Sequence, residues 1–344
     1  MKRLYILTLG SLAAALCIFF FKKRTPTTIA KGDGLVIKRE WLNQLQNPLT
    51  TKNDCRPADQ TFLTFPEWYL VFSPEEQANY FKDKTSSSFP YMKHTAQIWE
   101  SYSIVNNQIK GNFPTNDSYH FMIWVIGSSA SVEYSLKALY ETLVGRITDT
   151  DFAITEEDKF NARFTQDYVS FIKDRPWYEF DFKTPLKSLW TTTSFFDKNF
   201  IRKIERKYLL TTELSVKYVY GKLIGIGTKK VYEQALPTTA VIINNNAQVN
   251  LPRYHQFSKA ILNLAKDGNQ FKEIAGNNSA ILLSVLVPSE NIGYYKQAQT
   301  IFEQPLASNL SIKRIVIAVP VTELDELLRE LEIKKVIIEH VFDY

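Results

Sequence analysis

The amino-acid sequence predicts an α+β protein built as an N-terminal transmembrane helix, an aromatic-rich, mainly helical domain, and a C-terminal domain of βαβ-βαβ (ferredoxin-like) order. Three observations lead there. An apolar run from Leu4 to Phe21 is closed on both sides by Lys and Arg. All six tryptophans fall before residue 191. After Leu236 strand-length apolar runs alternate with amphipathic, helix-length ones. At ~100–200 residues per domain, 344 residues suit about two soluble domains. A chain 45% hydrophobic and 22% charged is not disordered, collagen-like or polytopic. Two cysteines exclude a disulfide scaffold and a Cys-based zinc cluster. A net charge of +5 gives no ground for a nucleic-acid partner, and none is expected.

Residues 4–21 come first. At 1.5 Å per residue they extend ~27 Å, close to a bilayer core of ~30 Å. Bulky Ile18-Phe19-Phe20-Phe21 runs straight into Lys22-Lys23-Arg24 with no small-x-small cleavage site, which disfavours a signal peptide. Leu16 before Cys17, with apolar residues after it, disfavours a lipoprotein. Residues 1–24 are therefore expected to be an uncleaved single-pass anchor holding the lipid bilayer through residues 4–21. Residues 25–60 come next as a polar tether and a short helix, with a loop around Cys55-Arg56-Pro57. The cations after the run favour a cytoplasmic body by the positive-inside rule. Short N-terminal anchors more commonly export the body behind them, so the side stays open, with a lean to the periplasmic face of an inner membrane.

Within residues 61–235, Ser73-Pro74-Glu75-Glu76 predicts a helix over 74–84, with proline at its first position. Pro90 opens another, closed by Gly111. Asn116 or Asp117 caps a long one ending near Gly145, and Thr155-Glu156-Glu157-Asp158 starts one that stops before Arg175-Pro176. A last helix, with a potential break, covers 197–225. In residues 237–344, strands are expected at 239–243, 280–287, 314–319 and 335–342. Helices are expected at 254–266, 294–302 and 322–331.

Phe65-Pro66-Glu67-Trp68-Tyr69, Tyr119-His120-Phe121-Met122 through Gly145-Arg146, and Arg175-Pro176-Trp177-Tyr178-Glu179-Phe180 carry a resemblance. Over roughly residues 61–220 the chain is similar to uncharacterised bacterial membrane-anchored proteins of unassigned function. The resemblance implies a bacterial envelope protein and no reaction, ligand or site.

Phe200 and Ile204 fall at helical spacing, with Arg202, Lys203, Arg206 and Lys207 on the remaining arc. A helix of that kind can lie on anionic lipid or against a protein partner, its cations turned to the lipid headgroups. The alternative is an ordinary helix with its apolar side in the core and its basic side in water. Carboxylates among aromatics give the enzymatic candidates Glu67, Glu179 and Asp181, since glycan hydrolases pair two carboxylates beside sugar-stacking rings. The competing account is that these rings pack the core while the carboxylates cap turns. Glu133, Lys137 and Glu141, spaced i, i+4, i+8, suggest an ion-pair ladder. The small residues 127–131 suggest close approach of another helix. No phosphate loop, dinucleotide fingerprint, nucleophile elbow or metal-ligand motif is present, and no cofactor or metal is expected. The expected function is that of a membrane-anchored binding or structural protein of the bacterial envelope, docking on anionic lipid through the basic helix. The alternative is an envelope glycan-active hydrolase.

Overall fold

The computed structural model describes residues 29–30, 41, 47–57, 60–149, 154–194, 199–232, 238–291, 295 and 297–344. The expected anchor, most of the tether and the Pro237 boundary lie outside them. The described part is α+β, with helices first and sheets after.

The helices are α1 (Gln60–Glu67), α2 (Tyr69–Tyr80), α3 (Tyr91–Ile109), α4 (Asp117–Tyr140), α5 (Glu156–Ile172), α6 (Lys183–Thr192) and α7 (Phe200–Tyr232). Local chemistry sets several of these ends. The Asn116 side chain accepts from the Tyr119 N–H at 3.2 Å. Thr155 and Asp158 form a reciprocal capping box at the start of α5. The chain of α4 continues through a π-helical turn, Glu141–Gly145, and a last turn, Arg146–Thr148. A Cβ at Gly127 would stand 3.0 Å from the Trp99 ring, so this small residue lets α3 lie close against α4.

Three expectations change. The box at Ser73 is unused, because α2 begins at Tyr69 and carries Pro74 inside it. Tyr69, Val71 and Phe72 are all buried there, so packing extends the helix past a local start signal. The Phe65–Tyr69 motif, for which no helix was expected, forms the junction of α1 and α2. Helix α7 runs unbroken over Phe200–Tyr232, and α6 precedes it without having been expected.

After residue 237 the strands β2 (Thr238–Ile243) and β3 (Ala247–Pro252) lead to α8 (His255–Lys266) and β4 (Phe271–Ile274). Then come β5 (Ala280–Pro288), β6 (Gln299–Pro305), β7 (Ile312–Pro320), α9 (Leu324–Ile333) and β8 (Ile337–Val341). Together with β1 (Ile29–Ala30) they form two antiparallel sheets, ordered β1-β6-β7-β5-β8 and β3-β2-β4. The βαβ-βαβ order anticipated one four-stranded sheet. It departs from the structure because 294–302, expected to be helical, contributes to β6, and because β3 and β4 went unforeseen. A register shift in β6 between Thr300 and Phe302 places both Ile301 and Phe302 in the core shared with the helices.

Strand β5 shows how the layers stack. Ala280 and Leu282 pack with the helical core, whereas Ile281, Leu283, Val285 and Val287 pack with α8 and α9. A sheet covered on both faces needs continuous apolar strands, and Ala280–Pro288 reads that way. At the helix–sheet seam Phe65 lies 5.0 Å from Phe302 and 6.0 Å from Phe342, ring centroid to centroid. Arg314, buried under that seam, forks onto Glu339 with two 2.6 Å bonds and lies 4.2 Å over the Phe72 ring. Phe65→Ala should lower stability by ~3–5 kcal/mol through the cavity it leaves. Urea unfolding followed by circular dichroism measures this, and a loss under ~1 kcal/mol would mean the seam repacks.

Candidate functional site

Helix α7 is turned the opposite way from the expected basic-outward helix. Arg202, Lys203, Arg206 and Lys207 point inward and are all buried, Arg206 to 2% exposure. Each meets acids from α5 or from the end of α4. Arg206 Nη1 bonds Glu141 Oε1 at 2.7 Å, and the same guanidinium pairs with Glu205. Arg202 Nη2 stands 3.4 Å from Asp158 and 3.7 Å from Asp149. Lys203 bonds Glu156 at 2.9 Å, and Lys207 lies 3.7 Å from Glu157. Gly145 makes room for this cluster, since a Cβ there would overlap Glu141 Oε2 at 1.8 Å. Burying cations is tolerated only when acids and further hydrogen bonds take up their charge. The sequence held that signal: Glu156-Glu157-Asp158 is an acidic run that answers the basic Arg202-Lys203-Arg206-Lys207 face.

With the charges inside, apolar residues face out. Phe200 is 44% and Ile204 42% exposed. Ile201, Val216, Val219, Leu223 and Ile226 continue the stripe. Among the described residues from Phe200 to Ile226, Lys222 is the one exposed charge. Helix α4 repeats the pattern: Phe121, Trp124, Val132, Leu136, Leu139 and Leu143 are exposed. Its exposed positions between Ser118 and Gly145 are apolar, serine or threonine. At 1.5 Å per residue the stripe is roughly 39 Å long on α7 and roughly 33 Å on α4.

The two helices run antiparallel and are held by long side chains. Lys137 bonds Glu213 at 2.8 Å and Glu133 at 3.0 Å; Lys217 bonds Glu213 at 2.9 Å and Glu133 at 3.3 Å. The expected Glu133–Lys137–Glu141 ladder thus crosses between helices, with Glu141 given to Arg206. Burial pushes both Glu133 and Glu213 up, but Lys137 and Lys217 outweigh it and hold them below the ordinary carboxylate value. These four side chains line a cavity of about 1170 Å³. Its wall is largely apolar, including Met122, Ile126, Phe164, Ile172, Leu210 and Ile224.

Of the carboxylate candidates, Glu67 and Glu179 line this cavity and Asp181 does not. Asp181 caps α6, accepting from the Lys183 and Thr184 N–H groups at 3.1 and 3.4 Å and from the Thr184 hydroxyl at 2.6 Å. Glu67 accepts from the Tyr119 hydroxyl, and burial raises its carboxyl above the ordinary value. The adjoining rings are structural: Trp68 stacks 3.6 Å from the His340 ring, and Tyr69 is buried. Trp177 and Tyr178 line the cavity, Trp177 lying 5.5 Å from Tyr220.

Sequence reasoning passed over Arg56 and Arg253, on the same wall as Glu67. Arg253 bonds Asp343 at 3.1 Å and the Tyr344 hydroxyl at 3.2 Å. Arg56 has a ring contact, 4.8 Å to the Tyr344 centroid, while its Nε and Nη2 are buried without a hydrogen bond among the described residues. Burial and then the Arg253 charge lower its pKa from the ordinary value. Its backbone N–H donates to the Ala275 carbonyl at 2.9 Å. Gly276, at φ +83°, leaves room for Cys55, whose Sγ would stand 2.6 Å from a Cβ there. Tyr254, next to Arg253, has φ +61°, a strained value for a residue of its size.

The sequence places Met92 near His94 and Met122 near His120, but the histidines are engaged separately: His94 lies 3.2 Å from Ser73 and 3.4 Å from Glu76, whereas His120 meets Tyr102 at 3.0 Å. Among the described residues no group of three or more His, Cys, Asp or Glu is placed to hold a metal ion. No described helix is long and apolar enough to cross a membrane; residues 4–21 lie outside the described set. No family model, curated protein or solved structure matches this chain.

Glu141→Gln would leave the Arg206 charge half-compensated in a buried site and should cost ~3–5 kcal/mol in urea unfolding. A near-neutral result would mean Glu205 alone suffices. The ladder adds a pH dependence. Glu133 and Glu213 titrate below their ordinary 4.5 when folded, so their contribution is whole above that value and is lost as pH falls through the folded values. Stability should fall as pH drops below about 5 and go on falling through the acid range, and Glu213→Gln should flatten that fall. An unchanged acid limb in the variant would place the titration elsewhere.

Proposed function

We propose that this is a membrane-anchored binding protein whose helical body docks on the bilayer through the apolar stripes of α4 and α7. The observation that carries the reading is that, among the described residues, both helices turn most of their charges inward and present continuous apolar faces. Singly exposed apolar residues are ordinary, but a contiguous face rimmed by polar groups marks an interaction surface. Two features favour lipid as the occupant. Trp124, Trp190, Tyr208 and Tyr220 are exposed on or beside the face, and such rings suit the bilayer interface. Residues 4–21 have the length and flanking charge of a membrane span, and seven residues separate Phe21 from Ile29 of β1. At ~3.5 Å per residue that link reaches at most about 28 Å, which keeps the body at the membrane surface.

Docking here draws on the hydrophobic effect rather than on cations, so the proposed contact residues are Phe200 and Ile204 with their apolar neighbours. Arg202, Lys203, Arg206 and Lys207 act from behind, holding the helix in that rotation. The glycan-hydrolase alternative retains one supporting observation, that Glu67 and Glu179 face one cavity. Its third candidate, Asp181, is committed to a helix cap.

Nitroxide labels at Leu136, Val219 and Leu223, in the full chain reconstituted into liposomes with Cys17 and Cys55 replaced by Ser, test the reading. Collision with oxygen should exceed collision with a water-soluble nickel complex at all three sites. A label at Lys272 should show the reverse. Aqueous accessibility on the stripes would overturn docking. Low accessibility to both reagents with spin–spin broadening would replace lipid by a second copy of the chain.

A further inference from the structure

The cavity between α4 and α7 has features that a docking surface does not require. Its volume of about 1170 Å³ lies above the ~300–1,000 Å³ usual for drug-sized ligands. Its rim includes Phe121, Val125 and Tyr220, which are exposed on the outer side of the same two helices. A ligand leaving a bilayer against that side would therefore meet an apolar rim first, and then a wall whose α4 and α7 charges are already paired with one another.

The charges on the wall are not symmetric. The four-membered ladder is closed, two glutamates with two lysines. At the end where α1, β3 and the C-terminus meet, Arg56 and Arg253 stand near Glu67, Asp343, Tyr254 and Tyr344. Asp343 takes up Arg253. Burial favours the neutral form of Glu67, whose Oε2 already receives the Tyr119 hydroxyl. Among the described residues, that leaves the Arg56 guanidinium without a carboxylate in hydrogen-bond reach, with two of its nitrogens buried and unbonded. A half-buried guanidinium with two nitrogens in that state is well matched to an anionic oxygen, which it binds in a fork geometry. The loop that carries it is pinned at Ala275 and Gly276, so the group is held in place rather than waving from a surface.

We infer that the cavity is a binding site for one anionic amphiphile, with its acidic head on Arg56 beside Arg253 and its alkyl chain along the apolar wall between α4 and α7. The head is a carboxylate or a phosphate; a fatty acid and an anionic phospholipid offer the same chemistry. The site deepens the docking reading, since the bilayer on α4 and α7 is the source of the ligand, but occupancy itself does not need a bilayer.

Native mass spectrometry of the full chain released from detergent tests it, with palmitate, phosphatidylglycerol, hexadecanol and inorganic phosphate as separate probes. One saturable adduct is expected with palmitate or phosphatidylglycerol, the stronger of the two naming the source. Hexadecanol and phosphate alone should give none of comparable affinity. Arg56→Gln should weaken the anionic adduct about 10- to 100-fold, the loss of charged hydrogen bonds. Ile126→Trp, which fills the cavity and leaves both arginines in place, should abolish it. Equal binding of hexadecanol, indifference to Arg56→Gln, or phosphate binding that survives Ile126→Trp would each overturn the proposal. An adduct that persists while the stripe labels read as aqueous would refute docking alone.

Discussion

The rotation of α7 about its own axis is the constraint on which the site depends. Arg202, Lys203, Arg206 and Lys207 form one face at i, i+1, i+4, i+5, and that face is closed off from solvent. The effective cost of burying a cation is several kcal/mol, so such a face turns inward only where acids are already arrayed. The end of α4 and the first turn of α5 supply them: Glu141, Asp149, Glu156, Glu157 and Asp158. Once this match is made, the apolar residues opposite that face, Phe200, Ile201 and Ile204 with their continuation along α7, turn outward while Leu210 and Leu214 join the core. Helix α4, tied to α7 by the Glu133–Lys137–Glu213–Lys217 ladder, presents its own apolar side in the same manner.

The same ion pairs account for the cavity. Helices in direct contact interdigitate their apolar ridges at 8–10 Å between axes. Lysine and glutamate side chains reaching toward each other hold α4 and α7 apart, and the space between them is lined by the remainder of both inner faces. The helical region is anchored for a different reason. The helical region and the five-stranded sheet share one apolar core around Phe65, Phe302 and Phe342, and Arg314 with Glu339 fills the polar gap in it.

Much of the secondary structure was legible because it rests on short-range rules. Asn116 and Thr155 cap helices through bonds to groups three residues away, and Ala280–Pro288 reads as a strand because both of its faces are apolar. The misreadings share a cause. Pro74 looks like a helix start until buried Tyr69 and Phe72 extend α2 past it, and 294–302 looks amphipathic until the register of β6 against β7 claims it. In each the local preference is worth at most a few kcal/mol and tertiary packing outweighs it. Glu67 and Glu179 stood out as carboxylates among aromatics, whereas Arg56 did not, because nothing local distinguishes an arginine in a cavity wall from one in solvent.

By itself the sequence determined the α+β class, the capped helices, the doubly covered strands and the two-faced character of α7, since each arises from residue spacing over a few turns. It did not determine which face of α7 meets water. Periodicity says that apolar and basic residues lie on opposite sides of a helix; it carries no sign for inside and outside. Only the tertiary structure decided that, by bringing acids separated from α7 by some forty to sixty residues against its basic face. The electrostatic match between those distant segments outweighs the ordinary preference for burying the apolar side.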